Sequence, residues 1–323
     1  MAEVKLGFVG YGIMGERLLR AALAQDPGVI AVAGVWDPAQ AALERLGRDL
    51  PDVPAIGSAD ALIEVSDCVY VASPPASHLG HARRAIAAGR AVLCEKPLAT
   101  DLDDARAFVS EVERGGARVA VNFPFASSSA VEQIRAWIAD GAVGTVRDVE
   151  VEVAFATWPR TWQRDAARWL DARAEGGFTR EVVSHFLFLA LRLLGPLTLH
   201  SARADYPEEG ASERAIEAAL GAGTVPVRLS GRVGATDKDD HNTFTLHGDA
   251  GAIRVRDWAF AERLVGDLWT ASPDALPNEQ MRPLVLARQL AKVAALTRGE
   301  PQNLATVQEA LAVQEAVEAI LRA

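Results

Sequence analysis

The chain has 323 residues, about twice the ~150 of an average domain, so two domains are expected. Half the residues are hydrophobic and 24% are charged, a globular composition that excludes a disordered chain. A net charge of −10 argues against nucleic acid and anionic membrane as partners.

The first 120 or so residues alternate between two periods. Strand-like apolar runs fall at Val4–Val9, Val29–Trp36, Cys68–Ala72, Ala91–Cys94 and Arg118–Val121. Between them, Glu16–Gln25, Ala39–Asp49, Ser77–Ala88 and Asp101–Arg114 carry helical spacing, with Asp101 as an N-cap. This rhythm predicts βαβ units and a parallel sheet covered on both faces. After Asn122 the rhythm changes. A helix over Ala130–Asp140 and a strand over Arg147–Ala156 lead to a Trp- and Arg-rich loop, then to an apolar helix over Thr179–Leu194. Alternating runs at Leu199–Ala204, Val225–Val233, His241–His247 and Ala252–Arg256 read as a largely antiparallel sheet. Two helices, Glu279–Thr297 and Ala305–Leu321, close the chain. The predicted architecture is an α/β Rossmann-type domain over residues 1–122 and an α+β domain over 123–323. No helical run remains to cover the second face of the later sheet. An apolar open face is therefore expected, buried in a homodimer or homotetramer.

The longest apolar stretch, Phe186–Leu199, is interrupted by Arg192, Gly195 and Pro196, short of the ~20 residues of a membrane span. The N-terminus lacks the pattern of a signal peptide, so a cytoplasmic location is expected. Cys68 and Cys94, each in a strand-like run, are expected to be buried free thiols.

Gly10-Tyr11-Gly12-Ile13-Met14-Gly15 spells G-x-G-x-x-G between a predicted strand and a predicted helix. The first glycine allows the tight turn, the second lets backbone approach a pyrophosphate, and the third lets helix pack on strand. Asp37, at the end of the second strand, lies 22 residues after Gly15, close to the ~20 expected of the acid that binds the adenosine ribose hydroxyls. A carboxylate there favours NAD over NADP. Ser73-Pro74-Pro75 with His78, and Glu95-Lys96-Pro97, follow two further strands and are expected to line the same crevice. For His78, capping the next helix is an equal alternative. No histidine has metal-ligand spacing, and no metal site is expected.

In the second half, Glu181 and His185 are four apart and project from one face of a helix otherwise apolar nearly all round. A polar stripe on a buried helix must meet partners or a wet cleft. Trp158, Trp162 and Trp169 cluster in the preceding loop, either as packing or as an aromatic wall for a substrate.

The glycine turn followed by S-P-P-x-x-H and then E-K-P resembles the Gfo/Idh/MocA family over essentially the whole chain. The resemblance implies a Rossmann domain joined to an α+β domain with an open sheet. It implies that Lys96 reaches the substrate beside the nicotinamide, and that the stretch from Gly176-Gly177 to His185 matches the family's glycine pair and D-x-x-x-H helix. Glu181 stands where the family has aspartate, Val183 where it has glycine, and Phe188 where an acid is common. Asn122-Phe123 occupies the family's asparagine-plus-arginine segment, with Asn122 at the nicotinamide end and Phe123 and Trp162 toward the substrate. The implied activity is hydride transfer between NAD and a secondary alcohol or carbonyl of a sugar, cyclitol or related compound. Lys96 and His185 would share the proton, and Glu181 would orient His185 or bind a substrate hydroxyl. Two alternatives are a reductase of a less polar carbonyl or imine, and a non-catalytic NAD-sensing regulator.

Overall fold

The computed structural model describes residues 3–323, the side chains of Arg164, Asp165 and Arg168 excepted. It divides into two compact units, residues 1–127 with 283–311, and residues 128–282 with 312–323.

The first unit contains β1 (Val4–Val9), α1 (Ile13–Leu23), β2 (Ile30–Trp36), α2 (Gln40–Asp49), α3 (Ala59–Val65), β3 (Cys68–Val71), α4 (His78–Ala87), β4 (Ala91–Cys94), α5 (Leu102–Gly115) and β5 (Val119–Val121). Its five strands form a parallel sheet in the order β2-β1-β3-β4-β5. The strands are near-continuously buried, as expected where helices cover both faces. Asp101 caps α5 as predicted, accepting from Asp104 N at 2.8 Å. Cys68 and Cys94 are buried free thiols, and burial pushes the Cys68 thiol up to about 12.

The second unit contains α6 (Ser129–Ala139), β6 (Val146–Phe155), α7 (Ala167–Leu170), α8 (Ser184–Leu194), β7 (Leu197–Asp205), β8 (Ala215–Ala222), β9 (Val225–Val233), β10 (His241–Gly248), β11 (Ala252–Arg256), β12 (Phe260–Val265) and β13 (Leu268–Ala271). The eight strands run β13-β12-β11-β10-β6-β9-β8-β7, antiparallel throughout except for β6 beside β9. The chain closes with α9 (Asn278–Arg298) and α10 (Val307–Arg322).

Two expectations are corrected. The first concerns the division at residue 122, because residues 283–311 pack with the first unit. Leu286, Leu290, Val293, Ala294 and Leu304 join Leu6, Phe8, Leu18 and Tyr70 in one buried cluster. The apolar stripe of α9 therefore closes the nucleotide-type core. The second concerns the open face of the eight-stranded sheet, which is charged rather than apolar. Along it lie Arg203, Glu217, Arg228 and Glu152, an Asp148–Arg228 pair at 2.9 Å, and Glu262 between Arg254 (2.7 Å) and Arg256 (2.8 Å). Strand alternation puts these polar residues on the face opposite Val149, Val151, Val227 and Leu229, which are buried.

Among the described residues, no helix is long and apolar enough to cross a membrane, and no group of three or more His, Cys, Asp or Glu could hold a metal ion.

Candidate functional site

In the first unit the candidate residues gather at the carboxyl edge of the parallel sheet. Gly10 has φ +100°, and a Cβ there would lie 2.6 Å from Ala72 O. A Cβ on Gly15 would lie 2.1 Å from Gly10 O, so only hydrogen fits between turn and helix. Gly12 faces open space, with no atom within 4 Å of an added Cβ, and no side chain caps α1. That leaves a bare backbone cradle at the positive end of an 11-residue helix, which suits a pyrophosphate. Tyr11, Ile13 and Met14 fill the turn between these glycines. Tyr11 is buried, and its ring carries the Arg45 guanidinium at 4.5 Å. Arg45 also bonds Glu16 and Tyr11 O.

Asp37 accepts from Tyr11 N and Ala39 N, each at 2.8 Å. Each bond uses one lone-pair site of an oxygen, and a carboxylate has about four such sites, so capacity for ribose hydroxyls remains. These residues fit a bound dinucleotide.

His78 is buried. Its Nδ1 lies 2.8 Å from Pro97 O and its Nε2 2.7 Å from Ser73 O. The ring thus bridges the Ser73-Pro74 loop and the Glu95-Lys96-Pro97 loop. It is a strut between the two expected crevice loops.

Lys96, half-buried, follows the end of β4, and the Lys96–Pro97 peptide is cis. The preceding Glu95 turns inward. Its carboxylate accepts from the Tyr70 hydroxyl and from Asn122 Nδ2, the latter at 2.5 Å. Asn122 Nδ2 also lies 3.3 Å from the Tyr70 hydroxyl, and its Oδ1 accepts from Gln289 Nε2 at 2.6 Å. Burial, with Glu95 beside it, holds the Tyr70 hydroxyl well above the usual tyrosine range, so it stays protonated and donates. Asn122 and Glu95, both expected at the cofactor crevice, lie together in this network. Asn122 is 2% exposed with both ends of its amide bonded to protein, and the Glu95 carboxylate lies in the same buried network. Phe123 is also buried, at 3% exposure.

In the second unit the expected helix over 179–194 begins as a π-helical turn, Thr179–Val183, before α8. Such turns are rare and are frequently found at functional sites. Glu181 lies in this turn and His185 in the first turn of α8 that follows it. His185 is 8% exposed and Glu181 half-buried. The turn is fastened at several points. Glu213 accepts from Thr179 N at 2.7 Å and from Thr179 Oγ1 at 2.6 Å, and its carboxylate would lie 2.2 Å from a Cβ on Gly177, whose φ is +99°. Burial pushes the Glu213 carboxyl above its usual range. Arg180 makes a bidentate pair with Glu318 at 2.6 and 2.9 Å and donates to Gly176 O at 2.7 Å.

The tryptophan cluster separates into roles. Trp158 is core, donating from Nε1 to Leu170 O at 3.1 Å and packing edge-on against Phe155 and Phe178. Trp162 is 41% exposed beneath the Arg160 guanidinium at 4.7 Å. Tyr70, Gln289 and Glu213 were missed in the sequence. Tyr70 reads as strand filler, Gln289 as one polar residue of a distant helix, and Glu213 as a loop acid.

The sequence model of an oxidoreductase family with an NAD-binding Rossmann fold, Gfo/Idh/MocA, matches residues 4–123, and that family's C-terminal domain model matches residues 131–254. The chain belongs to the Gfo/Idh/MocA family. It is 33% identical over 150 residues to inositol 2-dehydrogenase 3 of Saccharopolyspora erythraea, a match covering 44% of this chain and 42% of that protein. Over 197 residues it is 32% identical to dTDP-3,4-didehydro-2,6-dideoxy-alpha-D-glucose 3-reductase of Streptomyces violaceoruber, covering 59% of this chain and 55% of that one. These matches span about half the length of the curated relatives. The fold resembles that of an oxidoreductase from Agrobacterium radiobacter solved with NAD+, L-tartaric acid and magnesium, with TM-score 0.82, 19% identity, and coverage of 99% of this chain and 96% of that chain.

Proposed function

We propose that the protein is an NAD-dependent oxidoreductase acting on a secondary alcohol or ketone of a sugar, cyclitol or related polyhydroxylated ring. One observation carries the reading: Lys96 stands on the same sheet edge as the open Gly12 cradle, and its neighbour Glu95 is fixed from below by Tyr70 and Asn122. The names of the matched relatives, an inositol dehydrogenase and a sugar-nucleotide ketoreductase, support the substrate class.

When bound, the nicotinamide would accept or supply the hydride. The chain's own residues would do the rest. The Gly10–Gly15 turn and the start of α1 would hold the pyrophosphate, and Asp37 the adenosine ribose, repelling a 2′-phosphate. Lys96 would hydrogen-bond the reacting oxygen. With His185 it would take the hydroxyl proton during oxidation and return it during reduction. Glu181 would orient the imidazole or bind a second hydroxyl, and Trp162 would offer an exposed ring to an apolar sugar face. The protein would assemble as a homodimer or homotetramer through the open sheet face.

The test is a panel of sugars, cyclitols and hydroxylated aromatics with NAD and NADP, followed at the nicotinamide absorbance. Turnover of a polyol with NAD is expected. NAD binding without turnover of any compound would instead indicate a cofactor sensor.

A further inference from the structure

The hairpin between β11 and β12 has a backbone its sequence does not favour. Ala259 N donates to Arg256 O at 3.2 Å across Asp257 and Trp258, whose φ angles are +47° and +69°. Two successive positive φ values make this a type I′ turn, whose second central position is normally glycine. Aspartate tolerates the left-handed region, whereas a bulky aromatic there is an outlier. Such outliers persist only where their surroundings over-determine them, and they concentrate at functional sites.

The surroundings here do so. The Asp257 carboxylate is clasped on three sides: by His241 Nδ1 at 2.7 Å, by Asn242 N at 3.3 Å and by Arg256 Nη1 at 2.8 Å. Asp257 N donates in turn to Asn242 O at 2.8 Å. The forced turn delivers the Trp258 ring to two neighbours on α8. Its centroid lies 5.3 Å from that of His185 at an interplanar angle of 78°, and 5.3 Å from that of Phe186 at 40°. Phe186 is fully buried and fixes the indole from one side. An edge-to-face contact is favourable and directional, so a fixed indole selects one plane for the imidazole.

We propose that Trp258 is a positioning residue for His185, and that Asp257 with its clasp holds the strained turn that keeps Trp258 in place. The inference rests on the reading of His185 as a proton-transfer group. A tryptophan serving only to pack a hairpin tip would gain nothing from the glycine slot, whereas one that must meet His185 at a fixed angle needs the rotation that this turn supplies.

The experiment follows the side-chain nitrogens of 15N-labelled histidine in the full chain, with His185→Ala identifying the His185 signal. Trp258→Ala is expected to shift and broaden that signal as the ring samples more than one plane. Trp258→Phe should retain a single sharp one. Asp257→Ala should behave like Trp258→Ala, and it carries the test if Trp258→Ala does not fold. With myo-inositol and NAD as probe, kcat is expected to fall about tenfold in Trp258→Ala with KM nearly unchanged and recovery in Trp258→Phe. A His185 signal identical in the wild type and these variants overturns the proposal. If His185→Ala keeps full turnover, the proton-transfer reading fails instead, and the spectra still decide the Trp258 contact.

Discussion

The side-chain amide of Gln289 donates to Asn122 Oδ1 at 2.6 Å across 167 residues of sequence. A residue of α9 thus terminates a buried chain that runs through Asn122 to Glu95 and Tyr70, beneath the loop bearing Lys96. Gln289→Leu would leave the Asn122 carbonyl buried without a donor. The expected loss is about 1–3 kcal/mol of stability, from the desolvation of an unsatisfied polar group. Urea denaturation measures it, and Tyr70→Phe, which removes one donor to the Glu95 carboxylate and leaves that of Asn122, should cost less.

Lys96→Ala and His185→Ala are each expected to lower kcat on a turned-over polyol by about 10²–10⁴-fold, the range for general acid–base groups. NAD affinity, read by fluorescence titration, should stay nearly constant. The double variant should lose less than the product of the two factors, because residues acting on one proton are not independent. Full turnover in Lys96→Ala would remove that residue from the chemistry.

Asp37→Ser should narrow the preference for NAD over NADP, measured as the ratio of the two dissociation constants. In the wild type, tenfold tighter binding of NADP, ~1.4 kcal/mol in the opposite direction, would overturn the role given to Asp37. Arg45 bears on the outcome, since Glu16 and Tyr11 O now hold its guanidinium. Glu16→Gln should release it and weaken the discrimination against a 2′-phosphate.

Glu213 sets a pH dependence whose sign follows from burial. Its folded carboxyl titrates above the ordinary 4.5, so between 4.5 and that raised value the native state holds more of a proton than the unfolded chain. Stability contributed at this site therefore falls as pH rises through that window. Glu213→Gln keeps a carbonyl to accept from Thr179 and cannot ionise. The difference in melting temperature, variant minus wild type, should grow more positive as pH rises from about 4.5, when measured by scanning calorimetry.

If the protein assembles through its charged open face, the assembly should be salt-sensitive. If Arg254, Arg256 and Glu262 contribute to a subunit interface, light scattering should show dissociation toward the 34.4 kDa monomer as ionic strength rises. A monomer at low salt and micromolar concentration would overturn the assembly.

Much of the first unit was legible because its signals are local. The glycine turn, the strand-terminal Asp37 and the cap Asp101 each lie within one strand–helix junction. Short α3 (Ala59–Val65) escaped for lack of length, although Ser58 caps it through Ala61 N at 3.1 Å. In the second unit β8, AIEAALGA, has the composition of a helix and becomes a strand only by pairing on both sides with β7 and β9. The site residues divide the same way. Lys96, Glu181 and His185 sit in readable motifs. By contrast Tyr70, Gln289, Glu213 and Trp258 acquire their partners only through tertiary contacts. The inward turn of Asn122 was hidden for the same reason, since its partner Gln289 is far along the chain.

The packing of residues 283–311 against the first sheet also has a temporal side. During synthesis the strands from Val4 to Val121 emerge first, while Leu286, Leu290 and Val293, which pack in the same buried cluster, are made at least 286 − 121 = 165 residues later. At about 5–20 residues per second, the nascent sheet waits roughly ten to thirty seconds for its missing layer. The dinucleotide half therefore cannot finish folding at the ribosome ahead of its neighbour, as an N-terminal domain ordinarily does. A stop codon late in the message removes a wall of the first domain as surely as an early lesion would.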